Sequence, residues 1–123
     1  EENRKFDIIV DDGGHSMKQQ MESFLYLWPA VKKGGIYVIE DLITSYMNGD
    51  EPRWGGTDRP VMEDGRLANT TTNMLKALTD RLHTLPQEDG TVAADYKFAS
   101  EFARVDCFHN ICVVTKRLDK SFL

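Results

Sequence analysis

The sequence predicts an α/β fold, and three observations carry that prediction. A short, largely β-branched apolar run, Phe6-Asp7-Ile8-Ile9-Val10, is followed by a stretch with helical apolar spacing and then by a second apolar run, Gly35 to Ile39. This is the strand, helix, strand rhythm of two adjacent parallel strands. Both runs end in acids, Asp11-Asp12 and Glu40-Asp41. Late in the chain, Phe102 to Phe108 and Ile111 to Lys116 flank His109-Asn110, a two-residue connection suited to a closing antiparallel hairpin.

At 123 residues, with 41% hydrophobic and 28% charged residues, the composition is that of a globular chain too short for two well-formed domains. Residues 1–123 are expected to form a single domain or part of one, and the few polar residues between Glu1 and the first strand suit a chain cut from something longer. The net charge of -5 and the absence of any basic cluster beyond Lys32-Lys33 and Lys116-Arg117 argue against a nucleic-acid partner. No apolar run reaches the roughly 18 residues of a membrane span, and no signal-peptide pattern opens the chain. A cytoplasmic location without a membrane partner is the expectation. Cys107 and Cys112 show neither CxxC nor Cys/His zinc spacing, so they are expected to be reduced, structural thiols.

Taken in order, Phe6 to Val10 reads as a buried parallel strand that ends in a tight Asp-Asp-Gly-Gly turn. Ser16 with Gln19 three residues on forms a capping-box signature. The helix it opens carries Met17, Met21, Phe24, Leu25, Trp28 and Val31 on one expected apolar face, with Lys32, Lys33 and Gly34 as basic C-terminal residues and C-cap glycine. Gly35 to Ile39 is the second strand. From Leu42 to about residue 68 the chain is rich in glycine and proline and shows no period, which marks residues 42–68 as a lid or substrate loop. Helical spacing resumes near Asn69 and Thr70 with Leu75, Leu78, Leu82 and Leu85, stops at Pro86, and gives way to a polar stretch before the hairpin.

In an open parallel sheet the carboxyl ends of the strands line the ligand crevice, so Asp12, Glu40 and Asp41 are expected to converge. Carboxylates gathered at one point repel one another, and a hard divalent cation, Mg²⁺ by preference, relieves that cost while leaving coordination positions for water or substrate. His15 lies three residues after Asp12 on the same rim, where an imidazole is placed to serve as a general base. Ordinary alternatives exist for each residue alone. Asp11-Asp12 could cap the following helix, Glu40-Asp41 could be a solvated strand end, and His15 could be a hydrogen-bonded surface histidine. The joint placement of all four at one end of neighbouring strands favours a site. His83 and His109 read as a helix-surface and a turn residue.

The segments Phe6-Asp7-Ile8-Ile9-Val10-Asp11-Asp12-Gly13-Gly14-His15 and Lys33-Gly34-Gly35-Ile36-Tyr37-Val38-Ile39-Glu40-Asp41-Leu42 resemble the fourth and fifth strands of class I S-adenosylmethionine-dependent methyltransferases. The macrolide-sugar O-methyltransferases of the mycinamicin and tylosin type resemble them most, catechol O-methyltransferases are similar in layout, and Cys107 to Val114 resembles the closing hairpin of that fold. The resemblance implies the C-terminal half of a Rossmann-like domain, made of a βαβ unit, a long loop with a helix, and the hairpin. It implies a Mg²⁺ site at Asp12, Glu40 and Asp41, His15 as base, and Asp11 and Gly13 against the S-adenosylmethionine donor; Tyr46 and Trp54 are candidates to cover the acceptor by their position in the long loop alone. The implied reaction is O-methylation of a small-molecule hydroxyl, on a sugar or secondary-metabolite glycoside. The glycine-rich turn and the acid that hold the donor in this family would precede Glu1, so the chain alone is expected to be inactive and to bury the edge of its first strand in a homo-oligomer.

Three other readings fit less well. A response-regulator receiver shares the length and an Asp-Asp strand end but needs later strands ending in Asp and Lys. A mononuclear iron oxygenase wants two histidines with one carboxylate, and His83 and His109 are poorly placed for it. A non-catalytic binding or assembly module built on the methyltransferase fold is the reading from another functional class.

Overall fold

The computed structural model describes residues 4–47, 70–83 and 100–118. The elements are β1 (Phe6–Asp11), α1 (Met17–Leu27), a 3₁₀ turn (Trp28–Ala30), β2 (Val31–Ile39), a second 3₁₀ turn (Leu42–Tyr46), α2 (Thr71–Arg81), β3 (Phe102–Phe108) and β4 (Ile111–Lys116). They form one four-stranded sheet in the order β1-β2-β4-β3. β1 and β2 are parallel, as their apolar runs and the intervening helix require, whereas β2 pairs antiparallel with β4, and β4 with β3. The sheet is thus mixed, unlike the all-parallel sheet of a receiver domain.

α1 starts where the capping box places it. Ser16 accepts from the Gln19 backbone N–H, and the Gln19 side chain bonds back to the cap. The helix ends at Leu27, however, and not at Val31. Pro29 has no N–H to give to the helix ladder and its ring collides with the carbonyl four residues back, so the chain tightens into a 3₁₀ turn with proline in its first positions. Lys32, Lys33 and Gly34 are therefore strand residues instead of a helix cap. They form an irregular bulge, in which β2 runs from Val31 to Ile36 while β1 runs only from Phe6 to Ile8. Gly34 takes the positive φ (77°) that this detour needs. Leu25 also departs from expectation: it is 54% exposed, and the covered face of α1 is Met17, Gln20, Phe24, with Trp28 just beyond. Leu25 lies one residue, about 100° of helix rotation, off that line.

The core lies between α1, α2 and one face of the sheet. Phe24, Trp28, Tyr37, Ile39, Phe102 and Val114 are fully covered, and Leu42, Leu75, Leu78 and Cys112 join them. Phe24 meets the edge of Tyr37 at 5.1 Å between centroids, and Trp28 lies 4.7 Å from Phe102. Such pairs contribute roughly 0.5–1.5 kcal/mol each beyond simple burial. The Trp28 indole N–H reaches Glu101, and the Lys116 ammonium sits over the Trp28 ring while bonding to Glu101 and the Trp28 carbonyl.

α2 begins on a Thr70 cap that accepts from the Asn73 N–H, within a residue of the expected start. Leu85, Pro86 and most of the loop of residues 42–68 lie outside the described residues, as does Trp54. The hairpin follows the sequence reading, with Phe108 opposite Ile111. Its cysteines do not. Cys107 and Cys112 are register partners, 4.1 Å apart at Cα, and are joined in a disulfide rather than held as free thiols. Facing positions across a two-residue turn bring the side chains within bonding range. A spacing test for zinc or for a disulfide framework does not look for that arrangement. Among the described residues, no helix is long and apolar enough to cross a membrane.

Candidate active site

β1 and β2 end level with each other. Asp11 is opposite Ile39, and the Glu40 N–H donates to the Asp11 carbonyl at 3.1 Å. The residues after each strand therefore leave the sheet side by side. Asp12, His15 and Asp41 place one ligand atom each within 4.8 Å of one another. Asp12 is exposed, and His15 and Asp41 are half-buried. Two ligands of one Mg²⁺ at about 2.1 Å each lie at most roughly 4.2 Å apart, so small side-chain movements would let Asp12 and Asp41 share a cation beside His15. Carboxylate oxygens suit a hard divalent ion that keeps several water or substrate positions, and the His15 imidazole stands beside them against Asp41.

Asp41 owes its place to an uncommon backbone. It takes a left-handed conformation (φ 55°) at the start of the second 3₁₀ turn, and its carbonyl accepts from the Thr44 N–H and hydroxyl. Aspartate tolerates that region better than most residues. Its carboxylate lies 3.3 Å from His15 Nδ1 through one oxygen and accepts from Asn110 Nδ2 at 3.0 Å through the other. The Asp41 contact at Nδ1 orients the imidazole, and the tautomer with its proton on Nδ1 would present Nε2 as the proton acceptor.

Glu40 shares the strand end but not the group. Its backbone is held by Asp11 and by Gln20, whose Nε2 donates to the Glu40 carbonyl at 3.1 Å. Asp11 and Gly13 are engaged with each other: the Asp11 carboxylate accepts from the Gly13 N–H at 3.3 Å and from the Tyr37 hydroxyl at 2.7 Å. Burial first, then the hydrogen bond to Asp11 and the charge of that carboxylate, holds the Tyr37 hydroxyl far above the ordinary phenol range. Tyr46 is 64% exposed on the second 3₁₀ turn and lines an apolar cavity of about 420 Å³ with Leu42, Ile43, Leu75, Phe108 and Asn110. His83 follows α2 and His109 sits in the hairpin turn; neither belongs to the group.

Asn110 and Gln20 are site-building residues that the sequence reading passes over. Asn110 reads there only as half of a turn, and Gln20 as a polar residue inside a helix. Gln20 is 2% exposed and also accepts from the Thr71 hydroxyl at 2.7 Å, tying α2 to the end of β2. The one available signal was its helical spacing from Met17 and Phe24.

No family model matches the chain. It is 38% identical over 96 residues to the L-olivosyl-oleandolide 3-O-methyltransferase of Streptomyces antibioticus, a match covering 78% of this chain and 23% of that protein. It is 38% identical over 116 residues to the 8-demethyl-8-(2-methoxy-alpha-L-rhamnosyl)-tetracenomycin-C 3'-O-methyltransferase of Streptomyces olivaceus, covering 94% of this chain and 28% of that one. The mycinamicin VI 2''-O-methyltransferase of Micromonospora griseorubida is 34% identical over 112 residues, covering 90% and 26%. The solved structure of the MycE methyltransferase from the mycinamycin biosynthetic pathway, in complex with Mg and SAH, matches 93% of this chain and 27% of its own, with a TM-score of 0.70 at 32% identity. The chain thus spans about a quarter of the length of the relatives it matches. It is homologous to a segment of the macrolide- and polyketide-sugar O-methyltransferases and shares the fold of that segment.

Proposed function

We propose that this chain provides the metal and base end of a Mg²⁺-assisted, S-adenosylmethionine-dependent O-methyltransferase acting on a sugar hydroxyl of a small glycoside. The observation that carries the reading is the meeting of Asp12, His15 and Asp41 at the level ends of β1 and β2. The relatives' names and the Mg and SAH of the MycE complex support the reaction class and cofactors.

Asp12 and Asp41 are the proposed holders of the ion, with Glu40 beside them as a third acid. A divalent ion in such a site supplies Lewis-acid polarisation and orientation of a hydroxyl. His15 accepts the hydroxyl proton at Nε2, with Nδ1 steadied by Asp41. A bound donor would supply the methyl carbon to the acceptor oxygen, the electron pair of the broken bond staying on its sulfur. Asp11 and Gly13 are proposed to stand against the donor, and Tyr46 and Trp54 to cover the acceptor. The cavity beside Tyr46 offers apolar surface for the acceptor's body.

The chain on its own is proposed to be inactive and to associate. Among the described residues β1 is an edge strand, and it exposes Phe6 (47%), Ile8 (59%) and Val10 (55%) on one face. Light scattering tests the association. A cytoplasmic setting is part of the same proposal. Calorimetric titration with Mg²⁺ or Mn²⁺ tests the site: binding should be lost in Asp12→Ala and Asp41→Ala, and equal binding in parent and both variants removes the metal reading.

A further inference from the structure

We propose that Asn110, at the tip of the β3–β4 hairpin, is the positioning residue that sets the direction of the Asp41 carboxylate. The inference rests on the metal reading given above and adds to it a residue that acts on the ion through Asp41. Its geometry fixes how the amide lies. The Ile43 backbone N–H can only donate, and it donates to Asn110 Oδ1 at 2.7 Å. The Asn110 amide nitrogen is thereby left on the other side, where it donates to Asp41 Oδ1 at 3.0 Å. The Asn110 carbonyl also accepts from the Leu42 N–H at 3.1 Å. One residue thus binds the two backbone groups that follow Asp41 and one oxygen of Asp41 itself.

The remaining Asp41 oxygen faces His15. With one lone-pair set committed to Asn110, rotation of the carboxylate away from the group costs a charge-assisted hydrogen bond. The hairpin is built to hold this position. Cys107 and Cys112 cross-link the strands next to the turn, Cys112 pairs with Ile39 at the end of β2, and Asn110 adopts the positive φ (64°) that its side of the turn requires. A partner that orients a metal-binding carboxylate typically changes metal affinity by about 10- to 100-fold when removed.

Asn110→Gly is the informative change, because glycine accepts the positive φ and keeps the turn while removing the amide. In the protein as its source expresses it, Mn²⁺ affinity should fall about 10- to 100-fold. The lost methyl transfer should return as Mn²⁺ is raised, a rescue that a purely structural defect would not show. Asp41→Ala run in parallel separates two failures. If Asp41→Ala binds Mn²⁺ like the parent, the metal reading fails; if it loses binding while Asn110→Gly keeps parental affinity, only the role of Asn110 is overturned. Asn110→Asp covers the case in which glycine loosens the hairpin. It keeps the size but sets two carboxylates against each other, so the thermal midpoint should drop in EDTA and recover with Mn²⁺. An unchanged midpoint in EDTA would overturn the proposed contact.

Discussion

The two acidic strand ends look alike in sequence and are used differently by the fold. At the end of β1, Asp11 turns back to Tyr37 and Gly13 and stiffens the turn, while Asp12 goes to the site. At the end of β2, Glu40 is held through its backbone, while Asp41 swings into a left-handed conformation and reaches His15 and Asn110. In each pair the second acid is the one that lies in the group with His15. Asp11 is the last residue of β1 and Asp12 lies beyond it, whereas Glu40 and Asp41 both follow the end of β2. The left-handed backbone at Asp41 brings the two second acids together.

The largest effect that would sharpen the contrast is expected at His15. His15→Ala should lower kcat by about 10²- to 10⁴-fold, the usual share of a positioned base, with little change in metal affinity. Stopped-time methyl-transfer assays check it, and a parental kcat at neutral pH would make His15 a turn residue. Next comes the split within the first acid pair. Asp12→Ala should weaken Mn²⁺ binding at least about 100-fold, more than loss of an outer partner does, and leave thermal stability nearly unchanged. Asp11→Ala should do the reverse, and calorimetry with thermal melts on both variants reads the two outcomes; equal metal loss in both would erase the distinction.

Tyr37→Phe removes the other end of the Asp11 bond and should cost about 1.5–3 kcal/mol, the range for a hydrogen bond to a charged group. The pH dependence has a definite sign. The folded protein holds Tyr37 protonated well above the unfolded value of about 10, so its contribution is complete below that pH and is lost as pH rises beyond it. Denaturant melts should show the parent losing stability on the alkaline side faster than Tyr37→Phe. The smallest effect is expected for Glu40→Ala, whose carboxylate stands outside the group. Its Mn²⁺ affinity should fall less than that of Asp41→Ala, and an equal fall would show that both acids of the second pair serve the ion.

The sequence by itself determined what depends on neighbours along the chain. The capping box at Ser16, the Thr70 start of α2 and the hairpin between Phe102 and Lys116 are local patterns with local causes, and each was legible. So were Asp12, His15 and Asp41, because strand ends in an open sheet share a rim. Even locally, though, Pro29 outweighed the helical spacing that ran on to Val31, since a missing N–H removes a ladder bond outright. Only the tertiary structure decided the rest. β4 lies antiparallel beside β2, which brings the hairpin tip, Asn110 and the Cys107–Cys112 bridge to the acidic rim from the far end of the sequence. Nothing in the spacing of two cysteines or one turn asparagine announces that meeting. Contacts between residues nearly seventy positions apart are set by sheet order and register, and a single sequence carries period and propensity but not the choice of partner strand.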